Sequence, residues 1–467
     1  MINSSSERIA AALRQWIATA PAGARLPATR ALAAEFGAGP VTVQQALRTL
    51  IGEGLVEARP GVGTFVRAPR APRPRDYGWQ AGALGAPEAR LAALSPALRS
   101  APDDAIPLHA GYPDRELLPE RLVRTALARA AKTEGAVTRM PAAGLPELRS
   151  WFAEELAQHA SASGPTPSAR DVVIVPGSQS ALSTLFRTLV GAGEPLLIES
   201  PSYWGAILAA AQAGVRLVPV PSGVRGPDPE ELDRAFARTG ARAFYAQPAF
   251  ANPTGALWSR DLADEVLAVV RRHGAFLVED DWARDFAIDG THAPIAARDD
   301  DGRVIAIRSL TKSVSPAIRV AAIIARGPAR DRILADTQAQ SMYVSGVLQS
   351  AALDVVAQPA WRTHLKTLRG KLAARRDVLV DALREHAPDA HLEAVPRGGL
   401  NLWLGLSDDV DLAAVVRACD ERGVAVAAGD GWFPAEPSGR FLRLNFAGPR
   451  PESFPEAARI IGDVLRS

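Results

Sequence analysis

Residues Val304–Ile324 read VIAIRSLTKSVSPAIRVAAII. Two short, mostly apolar runs, Val304–Arg308 and Val320–Ile324, flank a turn of serines, a threonine and a single lysine. Runs of that length bounded by turn signals read as buried strands. Lys312 is conspicuous because the chain holds four lysines (Lys132, Lys312, Lys366, Lys371) against 49 arginines. With such a bias an arginine carries little information by itself, whereas a lysine in a serine-rich turn directly after a strand does.

Working outward, from Gly144 amphipathic helices alternate with further apolar runs at Val172–Val175, Pro195–Glu199, Leu217–Val220, Ala243–Ala246 and Phe276–Glu279. Such strands, separated by helices, predict an α/β domain with a mostly parallel, seven-stranded sheet covered on both faces. A smaller C-terminal α+β subdomain is expected over about 345–467. Ligands bind such sheets beyond the carboxyl ends of the strands, and the residues there carry chemistry. PGSQSAL places Gly177, Ser178 and Gln179 at the start of a helix, whose free N–H groups make an anion site. SPSYWGA offers Tyr203 as an aromatic plate, and AFANPTG presents Asn252 in a turn. Asp280 and Asp281 follow Phe276–Glu279, and SLTKSVSPAIR contributes Ser309, Thr311, Lys312 and Arg319. Singly these are a capped helix, a core aromatic, a turn, surface acids and a loop lysine. At successive strand ends they suit one ligand. A lysine amine forms a Schiff base with an aldehyde cofactor, and an acid opposite a pyridine nitrogen keeps that ring protonated. Hydroxyls, a helix N-terminus and an arginine hold a phosphate.

The first 75 residues are different. They hold ten arginines, no lysine and four acids, a net +6, while the remainder is at −4. A small cationic head on a mildly acidic body directs the head toward a polyanion. Glu7–Thr19 predicts a helix with Ile9, Leu13, Trp16 and Ile17 on one face; a second opens at Pro27 and Ala28 and closes at Gly37. Val41–Glu53 predicts a third, with Val43, Ala46, Leu47 and Leu50 inward and Gln44, Gln45 and Arg48 outward. Gly54–Arg59 and Thr64–Arg67 form a hairpin around Pro60–Gly63. This is the plan of a winged helix-turn-helix. Thr42 is placed to meet phosphate, Gln44, Gln45 and Arg48 to reach base edges, and Arg59 with the glycine-rich wing to approach the backbone. A small helical domain for protein contacts has the same pattern. The domains expected are a head at 1–68, a linker at 69–106 rich in Ala, Pro and Arg that begins APRAPRPR, and a body at 107–467. Proline density there favours extended chain, with a short helix around Ala89–Leu98.

No run of eighteen apolar residues predicts a membrane span, and Met1–Arg14 lacks the apolar stretch of a signal peptide. One cysteine, Cys419, in the helical stretch Asp411–Arg422, makes no internal disulfide and reads as buried filler. These features point to the cytoplasm. No Cys/His cluster has zinc spacing, so no metal is expected.

Leu26–Val66, LPATRALAAEFGAGPVTVQQALRTLIGEGLVEARPGVGTFV, resembles the GntR-type winged helix. That resemblance implies that Arg30, Thr42, Gln44 and the wing, with Gly61 and Gly63, touch operator DNA. Pro40 stands where the family often has an arginine. PGSQSAL, ANPTG, VEDD, SLTKSVSPAIR and FLRLNF together resemble the type I pyridoxal-phosphate fold from about Pro107 to the C-terminus. Its cofactor would be pyridoxal 5′-phosphate. The resemblance implies that Lys312 carries the cofactor imine and that Asp280 faces the pyridine nitrogen. Asn252 would reach the ring hydroxyl and Tyr203 would stack. Ser178, Gln179, Ser309 and Arg319 would bind phosphate, and Arg443 would grip an effector carboxylate. Head and body in this order are similar to the MocR/GabR regulators, which implies a homodimer sensing pyridoxal phosphate or an amino compound joined to it. Such regulators usually read EDDY where Glu279–Trp282 reads EDDW, and usually have a tyrosine near Thr138–Pro141, where Arg139 is the nearest polar substitute. An aminotransferase with a vestigial head and a scaffold binding protein through its head remain as rival expectations.

Overall fold

The computed structural model describes residues 5–67, 99–102, 104–160, 166–290 and 292–467. The chain divides into two compact units, a head and a body. In the head, α1 (Ser5–Thr19), α2 (Thr29–Glu35) and α3 (Pro40–Gly52) precede the hairpin of β1 (Val56–Arg59) and β2 (Gly63–Val66). Pro40 occupies the first helical position of α3, where its missing N–H costs nothing. Apolar residues spaced three and four apart bring Ile9, Leu13, Leu32, Val43, Leu47, Leu50, Val56 and Val66 into one small core. Arg14 of α1 pairs with Glu53 just past α3, Nε to Oε2 at 3.0 Å.

The expected linker lies outside the described residues except at its end, where Arg99 Nη2 donates to Asp420 Oδ1 at 2.9 Å. There β3 (Ile106–Pro107) also joins the body. The expected short helix around Ala89–Leu98 lies outside the described residues as well. In chain order there follow α4 (Glu120–Ala130), α5 (Pro146–Ala157), β4 (Val172–Val175), α6 (Ser178–Leu185), β5 (Pro195–Ser200), α7 (Trp204–Gln212), β6 (Arg216–Gly223), β7 (Gly226–Pro227), α8 (Pro229–Thr239), β8 (Ala243–Ala246), α9 (Arg260–Arg272), β9 (Phe276–Asp281), β10 (Val304–Ser309) and β11 (Ala321–Ile324). The sheet order is β4-β11-β10-β9-β8-β5-β6-β7. The seven strands read from the sequence are all present, and the two-residue β7 pairs antiparallel with β6 at the edge. β11 runs antiparallel to both neighbours.

Because side chains alternate along a strand, the apolar strands supply two cores. Val172, Ile174, Leu197, Phe244, Leu277 and Ala306 pack with α5, α8 and α9. Val173, Val175, Ile198, Tyr245, Val278 and Ile307 pack with α6 and α7 on the other face. After α10 (Gly327–Ser341), α11 (Gly346–Val356) and α12 (Pro359–His386), the smaller subdomain adds β12 (His391–Leu392), β13 (Asn401–Leu406), α13 (Leu412–Glu421), β14 (Val424–Ala425), β15 (Ala427–Ala428), β16 (Arg440–Asn445) and α14 (Phe454–Leu465). Its sheet runs β12-β13-β16-β15, and β14 pairs in parallel with β3. Cys419 is buried within α13. Among the described residues no helix is long and apolar enough to cross a membrane.

α14 crosses the end of α12 at Gly462, where a Cβ would collide with the His386 carbonyl oxygen. Gly462→Ala is therefore expected to destabilise the body by about 1–3 kcal/mol, the usual cost of overpacking. Urea denaturation followed by circular dichroism measures it, and an unchanged midpoint would show that the two helices part freely.

Candidate functional site

Three consecutive acids at the end of β9 show how strand alternation builds the site. Glu279 and Asp281 point to the α5 face, and Asp280 points to the face of α6 and α7. Glu279 accepts the backbone N–H groups of Ile295 and Ala296 at 2.8 and 2.9 Å. Asp281 accepts from Arg284 Nε at 2.5 Å. Burial opposes its ionisation, but the Arg284 and Arg308 cations hold it below the ordinary carboxylate range. Arg308 in turn bonds Glu155 Oε2 at 3.0 Å through Nε and Asp285 Oδ1 at 2.8 Å through Nη2. On the far side of the sheet Glu279 is thus satisfied through both oxygens, while Asp281 is engaged through Oδ2 and its buried Oδ1 has no partner among the described residues.

Asp280 is satisfied by half. Its Oδ2 accepts from Tyr245 Oη and Gln247 Nε2, both at 2.8 Å, while its buried Oδ1 has no partner among the described residues. Burial raises its pKa to about 6, against the pull of the Gln247 and Tyr245 hydrogen bonds and of the Lys312 charge. Gln247 also ties the site together, accepting from the Asn252 backbone N–H at 2.9 Å and donating its own backbone N–H to Glu199 Oε2 at 2.9 Å.

Asp280 lines a cavity of about 360 Å³ together with Ser178, Gln179, Tyr203, Asn252, Ser309, Thr311, Lys312, Arg319 and Arg443. Ten residues singled out from the sequence meet there, from the ends of β4, β5, β8, β9 and β10, from the loop before β11 (Arg319) and from within β16 (Arg443). Gly177 stands just behind them at φ 90°, and a Cβ on it would lie 2.9 Å from the Arg319 guanidinium. The positive φ favours glycine here, and a side chain would also push the Arg319 guanidinium aside. Arg319 itself is exposed, with Nη2 donating to the Pro176 carbonyl at 3.3 Å. Gln179 spends its side-chain amide on the Gly205 carbonyl at 2.7 Å. Ser309 Oγ accepts the Thr311 N–H at 3.2 Å, and Thr311 Oγ1 is buried without a partner among the described residues.

The Lys312 amine sits among aromatic rings, 4.3 Å from the centre of Trp282, 5.8 Å from Tyr112 and 5.9 Å from Tyr203. Burial, reinforced by the Arg443 charge and opposed by Asp280, lowers its pKa to about 7. Trp282 lines the cavity where the resemblance leads one to expect a phenol, and its Nε1 has no partner among the described residues. Arg443 is 1% exposed. Its Nε donates to Asn252 Oδ1 at 3.1 Å and its Nη1 to the His109 and Ala110 carbonyls at 3.2 and 3.3 Å. No carboxylate pairs with it among the described residues, and burial lowers its pKa to about 10. Arg139 is exposed and does not line the cavity.

Sequence reasoning missed Tyr245, Gln247, Gly111, Tyr112, Trp204, Leu208 and Trp432. Gln247 directly follows the strand Ala243–Ala246, so the strand-end rule reaches it, and Trp204 adjoins Tyr203; the others carry no such signal.

In the head, Val43, Ala46, Leu47 and Leu50 are buried while Gln44, Gln45 and Arg48 form an exposed polar face of α3, with Thr42 half-buried near its start. Arg48 Nη1 donates to Gln45 Oε1 at 3.2 Å. Arg30 on α2 is exposed, as is Gly61, and half-buried Gly63 opens β2. Arg59 is less free: its Nε bonds Glu57 Oε1 at 2.9 Å and its guanidinium lies 4.7 Å over the Phe65 ring.

Residues 104–461 match the family described as aminotransferase class I and II, and residues 5–66 match the bacterial regulatory proteins of the gntR family. The probable rhizopine catabolism regulatory protein MocR of Rhizobium meliloti is 30% identical, across 93% of this chain and 88% of its own. The HTH-type transcriptional regulator YdfD of Bacillus subtilis is 26% identical across 96% and 92%. Among solved structures, the alpha-aminoadipate aminotransferase LysN of Thermus thermophilus, complexed with N-(5'-phosphopyridoxyl)-L-leucine, superimposes with TM-score 0.71 at 27% identity, covering 78% of this chain and 92% of that one. A DNA-binding head fused to an aminotransferase body defines a class of transcription regulators. The chain belongs to the aminotransferase class I and II family and, with its gntR head, to the MocR/GabR-type regulators within that class.

An amine reacts in its neutral form, so reductive methylation of Lys312 should rise with pH about a midpoint near 7. Because the Asp280 charge favours the ammonium and the Arg443 charge opposes it, Asp280→Asn should move that midpoint down and Arg443→Met should move it up. Mass spectrometry of labelled peptides reads the midpoint, and shifts in the reverse directions would refute the electrostatic account.

Proposed function

We propose that this protein is a transcription regulator whose body binds pyridoxal 5′-phosphate and takes it, alone or joined to an amino compound, as its signal. The observation that carries this is Asp280, buried with one oxygen engaged and the other open to the cavity that holds Lys312. The residues fit the cofactor. Asp280 Oδ1 needs a proton-bearing partner, and the buried Thr311 hydroxyl lacks one. Gly177 leaves the start of α6 open beside Arg319.

When bound, pyridoxal phosphate supplies an aldehyde that reacts with amines and a ring that withdraws electrons. The chain's own residues do the rest. Asp280 Oδ1 would hold a proton on the pyridine nitrogen, and Lys312, with its pKa lowered to about 7, has a large neutral fraction near neutral pH. Tyr203 stacks on the ring, and Asn252 donates to the ring oxygen. That duty falls on Asn252 alone, because Trp282 offers no hydroxyl. Gly177, Ser178, Gln179, Ser309, Thr311 and Arg319 receive the phosphate, and Arg443 receives an effector carboxylate. In the head, Gln44, Gln45 and Arg48 read base edges, while Arg30, Thr42 and the wing of Arg59, Gly61 and Gly63 hold the DNA backbone. The protein works in the cytoplasm as a homodimer, its two heads meeting half-sites about 34 Å apart or a multiple of that. Signal binding changes their spacing and hence their fit.

The lysine, the acid and the arginine are all in place, which also favours slow transamination as a second activity. Turnover that survives deletion of residues 1–75, without promoter binding by the whole protein, would make it the main one.

Selection of bound genomic fragments with and without pyridoxal phosphate, at fixed salt, tests the reading. One set of promoter fragments should be enriched in a cofactor-dependent manner. Gln44→Ala and Arg48→Ala should each cost about 1–3 kcal/mol of sequence preference. Preference that outlives both substitutions would move recognition off this face of α3.

A further inference from the structure

We infer that the amino compound sensed by the body is an amino acid with a single carboxylate and a bulky apolar side chain. This rests on the assignment of the polar half of the cavity to pyridoxal phosphate. Once Asp280 with its partner Gln247, Lys312, Asn252, Tyr203 and the phosphate residues are set aside, the remaining cavity wall is Gly111, Tyr112, Trp204, Leu208, Trp282, Trp432 and Arg443. Among those residues Arg443 is the one cation, and there is no carboxylate.

Each feature of that wall excludes a ligand class. Arg443 is buried without an acid partner, so it rewards one carboxylate strongly and has nothing left for a second. Trp432 lies beneath it, the guanidinium carbon 5.3 Å from the ring centre. Trp432 is fixed from behind by Trp403, whose ring stacks on Phe441 at 4.7 Å with 11° between planes. Trp204 packs on the same cluster, and Leu208, four residues on, shares its face of α7. An acidic side chain placed there would lose its water against indole and leucine without a countercharge. A basic one would meet the Arg443 charge with no acid to offset it. A small one would leave apolar surface uncovered. Leucine, phenylalanine and tryptophan satisfy all three conditions.

The test uses the full-length protein loaded with pyridoxal phosphate and titrated with single amino acids, reading the visible absorption of the bound cofactor and the melting temperature. Leucine, phenylalanine or tryptophan should bind about tenfold or more tightly than alanine, aspartate, glutamate or lysine. Equal or tighter binding of glutamate, lysine or alanine overturns the inference. Leu208 is half-buried at the cavity rim, and Leu208→Arg should shift the phenylalanine-to-glutamate ratio by about tenfold toward glutamate. Trp204→Arg serves the same purpose should the first variant fold poorly, and an unchanged ratio in a folded variant removes the apolar wall from specificity. A loaded, coloured protein whose spectrum and melting respond to none of these amino acids also overturns the inference, while leaving cofactor binding intact. A protein that stays colourless with pyridoxal phosphate instead defeats the reading beneath it.

Discussion

A carboxylate kept inside the protein with one oxygen free organises the body. Asp280 is 1% exposed, and its pKa of about 6 reflects the cost of burial. What keeps it ionised at neutral pH is the pair of hydrogen bonds from Tyr245 and Gln247 to its other oxygen. Both partners come from the neighbouring strand and its end, so the direction of Asp280 depends on the register in which Tyr245 faces Val278 and Ala246 faces Glu279. A slip of one residue would send Asp280 to the far face and bring Glu279 or Asp281 into the cavity. The ion cluster behind the sheet resists such a slip. Arg308 sits opposite Asp281 in the register, and Glu155 and Asp285 close on Arg308. The cavity acid on one face is held in place by the acids and arginines that pair on the other.

That arrangement also explains what could be read from residues alone. Strands buried on both faces announce themselves as short apolar runs, and the topology of a parallel sheet then says where to look for chemistry. Lys312, Asp280, Asn252 and Ser178 are polar residues at those ends, and they were visible. In the head, the 3.6-residue stripe of Val43, Ala46, Leu47 and Leu50 fixed which side of α3 faces out.

The supports were not visible, for two reasons. Tyr245 lies inside an apolar strand and looks like core, which it also is. Tyr112, Leu208 and Trp432 reach the cavity from three distant parts of the chain, and an apolar side chain gives no sign in sequence of lining a site rather than a core. Arg59 illustrates the converse. It looked free for a polyanion, but Glu57 and Phe65 already engage it, information that exists only once the hairpin is folded.

Arg443 and Asp280 together give the body a reason to respond to a ligand. Each is buried with its charge half answered: Arg443 has carbonyl and amide oxygens but no anion, and Asp280 has two donors on one oxygen and none on the other. Both arrangements cost stability in the empty body and are relieved by occupants of one cavity. Arg443 moreover holds the carbonyls of His109 and Ala110, and the Asn445 side chain donates to the Tyr112 carbonyl at 3.0 Å, so the segment entering the body is pinned by the strand that carries Arg443. An anion arriving at Arg443 competes for the donors that fix this segment. On the proposed reading, a carboxylate bound at Arg443 would therefore alter how firmly residues 109–112 are held against the body.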